Sequence, residues 1–241
     1  MTTGWHIEEE RRPYRPGMEG PEGHARVSPR FLSLIQEEPL EGMRVIDVGC
    51  GAGRLSFLLA PRAKEVVGVD RDPEALAEAR RRAEVEGLTN VRFREGDVES
   101  IPYRELAGGP VDMVVSHLCM SDAILARAAE ALSPGAPIAF ACFHAAQWAE
   151  TGRSSRFAYR EEQLESALRA SGFEPEWLGV EKSVVEFASA EEALEGYFAA
   201  SALAARWRGD SRGEGLVAYV ARGGRTFTPR CRCVVKARRR A

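Results

Sequence analysis

Short apolar runs alternate with helical stretches from residue 43 to residue 143, and this alternation restricts the fold more than any other feature of the chain. Met43–Val48 reads as a strand ending in a glycine turn, and Leu55–Leu59 opens a helix after it. Glu65–Val69 is a second strand, and Asp72-Pro73 caps a helix that runs to about Glu86, with Gly87 at its end. Val91–Arg94 and Val111–Ser116 read as the third and fourth strands. Asp122–Ala131 is helical, Leu132–Gly135 turns the chain, and Ala136–Phe143 is a fifth strand. Strands this apolar, separated by helices, predict an α/β fold with a parallel sheet covered on both faces. Right-handed crossovers then bring the strand carboxyl ends to one side, where ligands bind. The residues just after Val48, Val69, Phe93 and Val115 are therefore expected on one rim.

The flanks are less regular. Residues 1–27 carry Pro13, Pro16 and Pro21 among charges and read as an irregular arm, whose Trp5, His6, Tyr14 and Arg15 suit either a pocket cover or plain surface packing. Ser28-Pro29 starts a helix over 29–37 with Phe31, Leu34 and Ile35 on one side. Beyond residue 150, Glu161–Ala170 reads as a helix and Phe173–Glu181 as a strand. Val184–Phe187 is a short apolar run, Ala190–Arg206 a longer helical stretch, and Cys231–Ala237 a last strand. Gly209, Gly213 and Gly215 read as breaks. Residues 182–229 are thus expected to be a helical lid inserted between the final two strands of a single domain spanning 1–241.

The chemistry is concentrated in Asp47-Val48-Gly49-Cys50-Gly51-Ala52-Gly53-Arg54, which follows one strand and opens one helix. Alternating glycines let the backbone turn sharply and approach a ligand closely. A dinucleotide fingerprint of the form G-x-G-x-x-G starting at Gly49 needs glycine where this chain has Arg54, which weakens an NAD-type oxidoreductase reading, as does the lack of a Tyr-x-x-x-Lys pair. Asp70 ends the second strand, where a carboxylate can accept hydrogen bonds from a ribose diol. Asp97 lies just past the third strand, on the same rim. It can read the amino edge of adenine, with Val98 and Ile101 against the ring. Each acid alone is as well explained as a loop residue or helix cap; the set in register is what points to a nucleoside.

Residues 43–143 resemble the class I S-adenosylmethionine-dependent methyltransferases, within them the small-molecule branch that includes the ubiquinone/menaquinone and biotin-pathway enzymes. The resemblance implies a doubly wound Rossmann-like sheet of seven strands, mostly parallel with an antiparallel last strand. It implies S-adenosylmethionine as the cofactor. Gly49, Cys50, Gly51 and Gly53 would contour the loop under the methionine portion, and Asp47 would orient that loop or approach the donor ammonium. Asp70, with Arg71 beside it, would bind the ribose, and Asp97 and Val98 the adenine. Ser116 and His117 would stand near the methyl group. The Asn/Asp-Pro-Pro-aromatic signature of nucleic-acid amino methylases is absent, its place taken by Ser116-His117-Leu118-Cys119-Met120.

Direct displacement from a sulfonium requires no metal, and a general base only when the acceptor must lose a proton. His117 is the candidate base, against a structural role bonded to backbone; His144 is similarly placed after the fifth strand. Phe187, Leu194, Tyr197, Phe198, Leu203 and Trp207 suit a core more than substrate contacts. Trp148 and Phe157 suit a pocket wall, while Arg153, Arg156 and Arg160 suit either an acidic acceptor or, preferred here, solvent.

A formal net charge of -3 argues against reliance on phosphate neutralisation, although Arg225, Arg230, Arg232 and the Lys236–Arg240 run keep an RNA-modifying alternative open. A nucleoside-binding protein without turnover is another alternative. The five cysteines, Cys50, Cys119, Cys142, Cys231 and Cys233, lack zinc-knuckle spacing and read as reduced structural thiols. No stretch is long and apolar enough to span a bilayer, and no signal segment opens the chain. The expectation is a cytoplasmic monomer or homodimer acting on a small molecule.

Overall fold

A computed structural model describes residues 4–18 and 26–241. Among these residues nine strands form one sheet, in the order β1-β8-β9-β6-β5-β2-β3-β4, with β7 beside β6. The strands are β1 (His6–Pro13), β2 (Arg44–Val48), β3 (Glu65–Asp70), β4 (Val91–Glu95), β5 (Met113–His117), β6 (Pro137–His144), β7 (Ala158–Tyr159), β8 (Phe173–Glu186) and β9 (Thr226–Arg239). Only β9 runs antiparallel to its neighbours, β6 and β8. The expected doubly wound α/β class holds. The strand count rises from seven to nine because β1 and the two-residue β7 join the sheet.

Local signals explain the helices. α1 (Pro29–Gln36) is capped by Ser28, whose Oγ accepts the Phe31 N–H at 3.0 Å. α2 (Arg54–Leu59) follows the glycine turn, and α3 (Pro73–Val85) is capped by Asp72, which accepts from Glu74 and Ala75. α4 (Tyr103–Ala107), α5 (Asp122–Ala131) and α6 (Glu161–Ala170) complete the layers. On one face, Ile46, Val114 and Phe140 pack with Tyr103, Ile124 and Leu164; on the other, Val45, Val66 and Val115 pack with Phe31, Leu55 and Leu76. Each such side chain contributes about 1.5–3 kcal/mol of burial free energy, so the two-sided sheet is the dominant stabilising unit.

Four expectations are corrected. The arm is not irregular throughout: His6–Pro13 pairs in parallel with β8, His6 stacks on Trp177 at 4.0 Å, and Lys182 reaches Glu9 at 2.8 Å. Its sequence has no apolar alternation because the strand is an exposed, charge-protected edge. The rest of the arm's prolines and glycines fall partly on residues 19–25, outside the described residues. The Val184–Phe187 run largely belongs to β8, which extends to Glu186, so the insertion spans 187–225 rather than 182–229. The helical stretch from Ala190 is split into a π-helix (Glu192–Phe198) and α7 (Ala202–Arg206) by Ser201, whose Oγ donates to the Phe198 carbonyl at 2.7 Å. Gly213 and Gly215 do not break the chain but sit inside α8 (Ser211–Ala221).

The insertion has its own apolar core. Phe187, Tyr197, Trp207 and Leu216 pack with Trp148 and Phe227, and Leu194, Phe198 and Leu203 rest against them.

Candidate active site

The chain leaves β2, builds β3 and β4 outward, then returns to place β5 on the other side of β2. This reversal opens a crevice at the carboxyl ends of β2 and β5. Here the backbone of Gly49, Gly51 and Gly53 runs at φ +69°, +52° and +80°, the left-handed region that favours glycine. A Cβ at Gly49 would lie 2.4 Å from the Cys119 side chain, and one at Gly53 would lie 2.7 Å from Phe57. Beside Gly51 there is open space.

Acidic side chains hold this turn. Asp47 is fully buried in β2. Its Oδ2 accepts the Ser56 hydroxyl at 2.6 Å, tying β2 to α2, while Oδ1 is buried with no hydrogen-bond partner. Burial pushes the Asp47 carboxyl up to about 6. Asp70, at the end of β3, accepts the Gly51 N–H at 2.7 Å on Oδ2 and the Asp72 N–H at 3.0 Å on Oδ1. Each oxygen retains a lone pair. Asp97 is exposed, and its Oδ1 accepts the Glu99 N–H at 3.1 Å.

Gly49, Asp70, Arg71, Asp97, Val98 and Cys119 together line one cleft of about 110 Å³. The strand ends read from the sequence as one rim therefore do meet. Other expected residues stand behind the wall. Cys50 is buried, its N–H donates to the Val69 carbonyl at 3.0 Å, and burial pushes its thiol far up. Ser116 is buried, with its Oγ within hydrogen-bond reach of the Val48 carbonyl at 2.8 Å and of the Cys119 carbonyl. It joins β2 to the turn after β5. Val98 is held by the Tyr103 hydroxyl, which donates to its carbonyl at 2.7 Å.

Sequence reasoning missed Glu99, Cys119, Ile124 and Arg156 as cleft residues. They come together through long-range contacts. β7 pairs with β6, Tyr159 donates to Asp122 at 2.7 Å, and Arg156 pairs with Glu99 at 3.6 Å while covering the Phe157 ring at 3.8 Å. Arg156 and Phe157 thereby roof the cleft. No periodic or motif signal marks such a loop.

A second cavity, of about 530 Å³, is lined by Leu118, the chain neighbour of the cleft residue Cys119. Leu118, Phe143, His144, Trp148, Trp207 and Arg232 are among its walls. Leu118 (φ +67°) and Trp148 (φ +55°) are the two non-glycine residues with positive φ among the described residues, and both line it. Such backbone strain, about 1–2 kcal/mol each, clusters at functional sites. Arg153, expected in solvent, is exposed and borders this cavity.

His117 is not placed to act as a base. His117 stacks on Phe31 at 6.1 Å, lines neither cavity, and is pushed down to about 4 by burial and by Arg232, Arg54 and Arg230. His144 Nδ1 accepts the Ala146 N–H at 3.0 Å, which leaves Nε2 to donate to Glu161 at 3.0 Å.

A family model for a methyltransferase domain matches residues 39–189, which contain the glycine turn and both rim acids. The chain belongs to this methyltransferase family. Its class is that of the S-adenosylmethionine-dependent, class I enzymes. The methyltransferase is 36% identical over 127 residues to the ribosomal protein L11 methyltransferase of Deinococcus radiodurans, covering 51% of this chain and 46% of that one. It is 35% identical over 136 residues to the arsenite methyltransferase of Aquipseudomonas alcaligenes, covering 51% and 39%. The matched region is thus less than half of either curated relative. Its fold is similar to that of the YcgJ protein from Bacillus subtilis, with a TM-score of 0.65 at 16% identity over 88% of this chain and 99% of that one.

Proposed function

We propose that the chain transfers a methyl group from S-adenosylmethionine to a small-molecule acceptor by direct in-line displacement. The observation that carries this reading is the convergence of Gly49, Asp70 and Asp97 on one cleft, which Cys119 also lines, while its chain neighbour Leu118 lines a second cavity. When bound, S-adenosylmethionine supplies an electrophilic methyl carbon. The residues present suit it. Asp70 has acceptor capacity left for a diol, Val98 and Ile124 offer apolar contact to a base, and the open space at Gly51 admits a chain over the turn. Asp47 Oδ1, buried without a partner, suits a nearby ammonium.

The acceptor occupies the second cavity, under the insertion, which serves as its lid. Leu203 and Trp207 of the insertion line it together with Phe143 and Trp148. Orientation and desolvation provide the rate enhancement. His117, neutral at physiological pH, keeps the β5 end packed on Phe31 rather than removing a proton. The small-molecule reading draws support from the arsenite methyltransferase relative and from the fate of the basic C-terminal run, which is not a free tail. Lys236 and Arg238 pair with Glu38, Arg239 donates to the Ala129 and Gly172 carbonyls, and Arg240 to that of Arg169. The run thus loses its value as a phosphate contact. Among the described residues no helix is long and apolar enough to cross a membrane.

Calorimetry with S-adenosylmethionine and S-adenosylhomocysteine tests the donor site, and labelled donor incubated with fractionated metabolites tests transfer. Micromolar uptake and label in a low-mass product are expected. Absence of uptake sinks the proposal, and label found in RNA alone removes the small-molecule acceptor.

A further inference from the structure

One irregular segment, between β6 and β7, walls both cavities. Arg153, Ser154, Ser155 and Ala158 line the second cavity, while Arg156 and Phe157, in their midst, line the cleft that holds Asp70 and Asp97. Both ends of the segment are fixed. Thr151 is buried and its Oγ1 donates to the Trp148 carbonyl at 2.7 Å; Ala158 and Tyr159 pair with β6. Between these ends the hydrogen bonds are local. The Phe157 N–H donates to Ser155 Oγ at 3.2 Å and the Ala158 N–H to the Ser155 carbonyl at 3.1 Å, so a single turn joins the cleft side to the cavity side. Gly152, at φ +71°, has open space beside it. Among the described residues the segment's one ion pair is Arg156–Glu99, at 3.6 Å, with the Arg156 side chain 63% exposed. A pair this long and this exposed is weak. Glu99 is anchored separately, by the Ser121 hydroxyl at 2.7 Å. The segment also acts on the insertion: the Asp210 carboxyl, before α8, is held low by the Arg212 N–H and by the charges of Arg212 and Arg153.

The cleft holds about 110 Å³, below the roughly 300–1,000 Å³ of pockets that enclose a small molecule. A nucleoside joined to an amino acid therefore enters only when a wall moves. The other walls are tied into the fold: Asp70 to Gly51 and Asp72, Val98 to Tyr103, and Ile124 buried in α5. Arg156 and Phe157 form the wall with least to hold it. We propose that residues 153–158 are a gate shared by the two cavities. The donor enters by freeing Arg156 from Glu99, and the same displacement, carried through the Ser155 turn, resets the wall of the second cavity, so that donor uptake sets the shape of the acceptor site. This regulation rests on the donor-and-acceptor reading above.

A ligand that needs the open state associates in proportion to the fraction of open chains. Surface plasmon resonance of S-adenosylhomocysteine on the full chain therefore reads the latch. Glu99→Gln and Arg156→Gln should each raise the association rate at least threefold, and the double variant should be no faster than either single, since both remove one pair. Unchanged rates, or effects that multiply in the double, overturn the gate. Transmission is read in Trp5→Phe/Trp177→Phe, whose remaining tryptophans, Trp148 and Trp207, line the second cavity and not the cleft. S-adenosylhomocysteine at full occupancy should change their quenching by acrylamide at least twofold, and a Gly-Gly insertion between Ser155 and Arg156 should abolish that change. No change before the insertion, or one that survives it, overturns the coupling. Calorimetry on the same chains separates the two readings. Absence of uptake in all of them sinks the donor site and the gate with it, whereas normal uptake with unaltered rates and quenching sinks only the gate.

Discussion

The three glycines of the turn have different reasons to be glycine, and substitution separates them. Alanine at Gly53 places a Cβ 2.7 Å from Phe57 and 2.9 Å from Phe93 at φ +80°, so Gly53→Ala is expected to cost about 2–3 kcal/mol in chemical denaturation. Gly51 has open space beside it. Gly51→Ala should cost only about 1 kcal/mol, from its positive φ, yet lower S-adenosylmethionine affinity more than tenfold by calorimetry. Asp47 carries an opposite pair of effects. Its folded value, about 6, lies above the ordinary 3.8, so the stability linked to it is greatest below pH 3.8 and is lost as pH rises through about 6. Asp47→Asn removes that burden. Roughly 2 kcal/mol of added stability is expected at pH 8 and little at pH 4, together with weaker donor binding. Equal donor affinity in wild type and variant would show that Asp47 acts only on the loop.

At the scale of elements, the insertion shows how a local signal misleads. Glycine is a poor helix former, and Gly213 and Gly215 read as breaks on that ground. In α8 they are required by proximity: a Cβ at Gly213 would lie 2.6 Å from the Trp207 carbonyl oxygen, and one at Gly215 would lie 2.1 Å from that of Thr151. Backbone approach, not chain reversal, selects glycine here. Gly215→Ala should therefore destabilise, by about 2–4 kcal/mol, although an isolated helix would gain from the change. A thermal melt distinguishes the two signs. The same substitution should impair acceptor turnover before donor binding, since α8 packs on the Ala149–Thr151 turn beside the second cavity and not on the glycine loop.

At the scale of the molecule, the C-terminal strand is locked to the start of the fold. Glu38, 5% exposed, accepts from Lys236 at 2.8 Å and from Arg238 at 2.6 Å, the second pair joining positions 200 apart in the chain. Burial raises the Glu38 carboxyl, but hydrogen bonds from Lys236 and Arg238 outweigh it and hold the group below 4.5. Its stabilisation is therefore present above pH 4.5 and is lost as pH falls through the lowered value. Glu38→Gln leaves Lys236 buried with only Glu37, and about 3 kcal/mol should be lost at pH 7 and far less at pH 3.5. A denaturant series at the two pH values checks both the size and the sign.

The central strands, their helices and the rim acids were legible in the sequence because each rests on interactions within a few residues: apolar runs, Ser28 and Asp72 as caps, glycine where φ is positive. β1, α8, the roof of Arg156 and Phe157, and the second cavity were not. Their residues are polar, or glycine, or lie in loops, and they acquire meaning only from partners brought close by the sheet, such as Gly179 beside His6 or Thr151 beside Gly215. The sequence by itself determined where a nucleoside-bearing donor is expected, since a turn and two strand ends are local facts. Only the tertiary structure decided which side chains line the proposed acceptor cavity, because that surface is assembled from the turn after β5, β6, the loop between β6 and β7, β9 and the insertion, and contact across such distances leaves no periodic trace in a single chain.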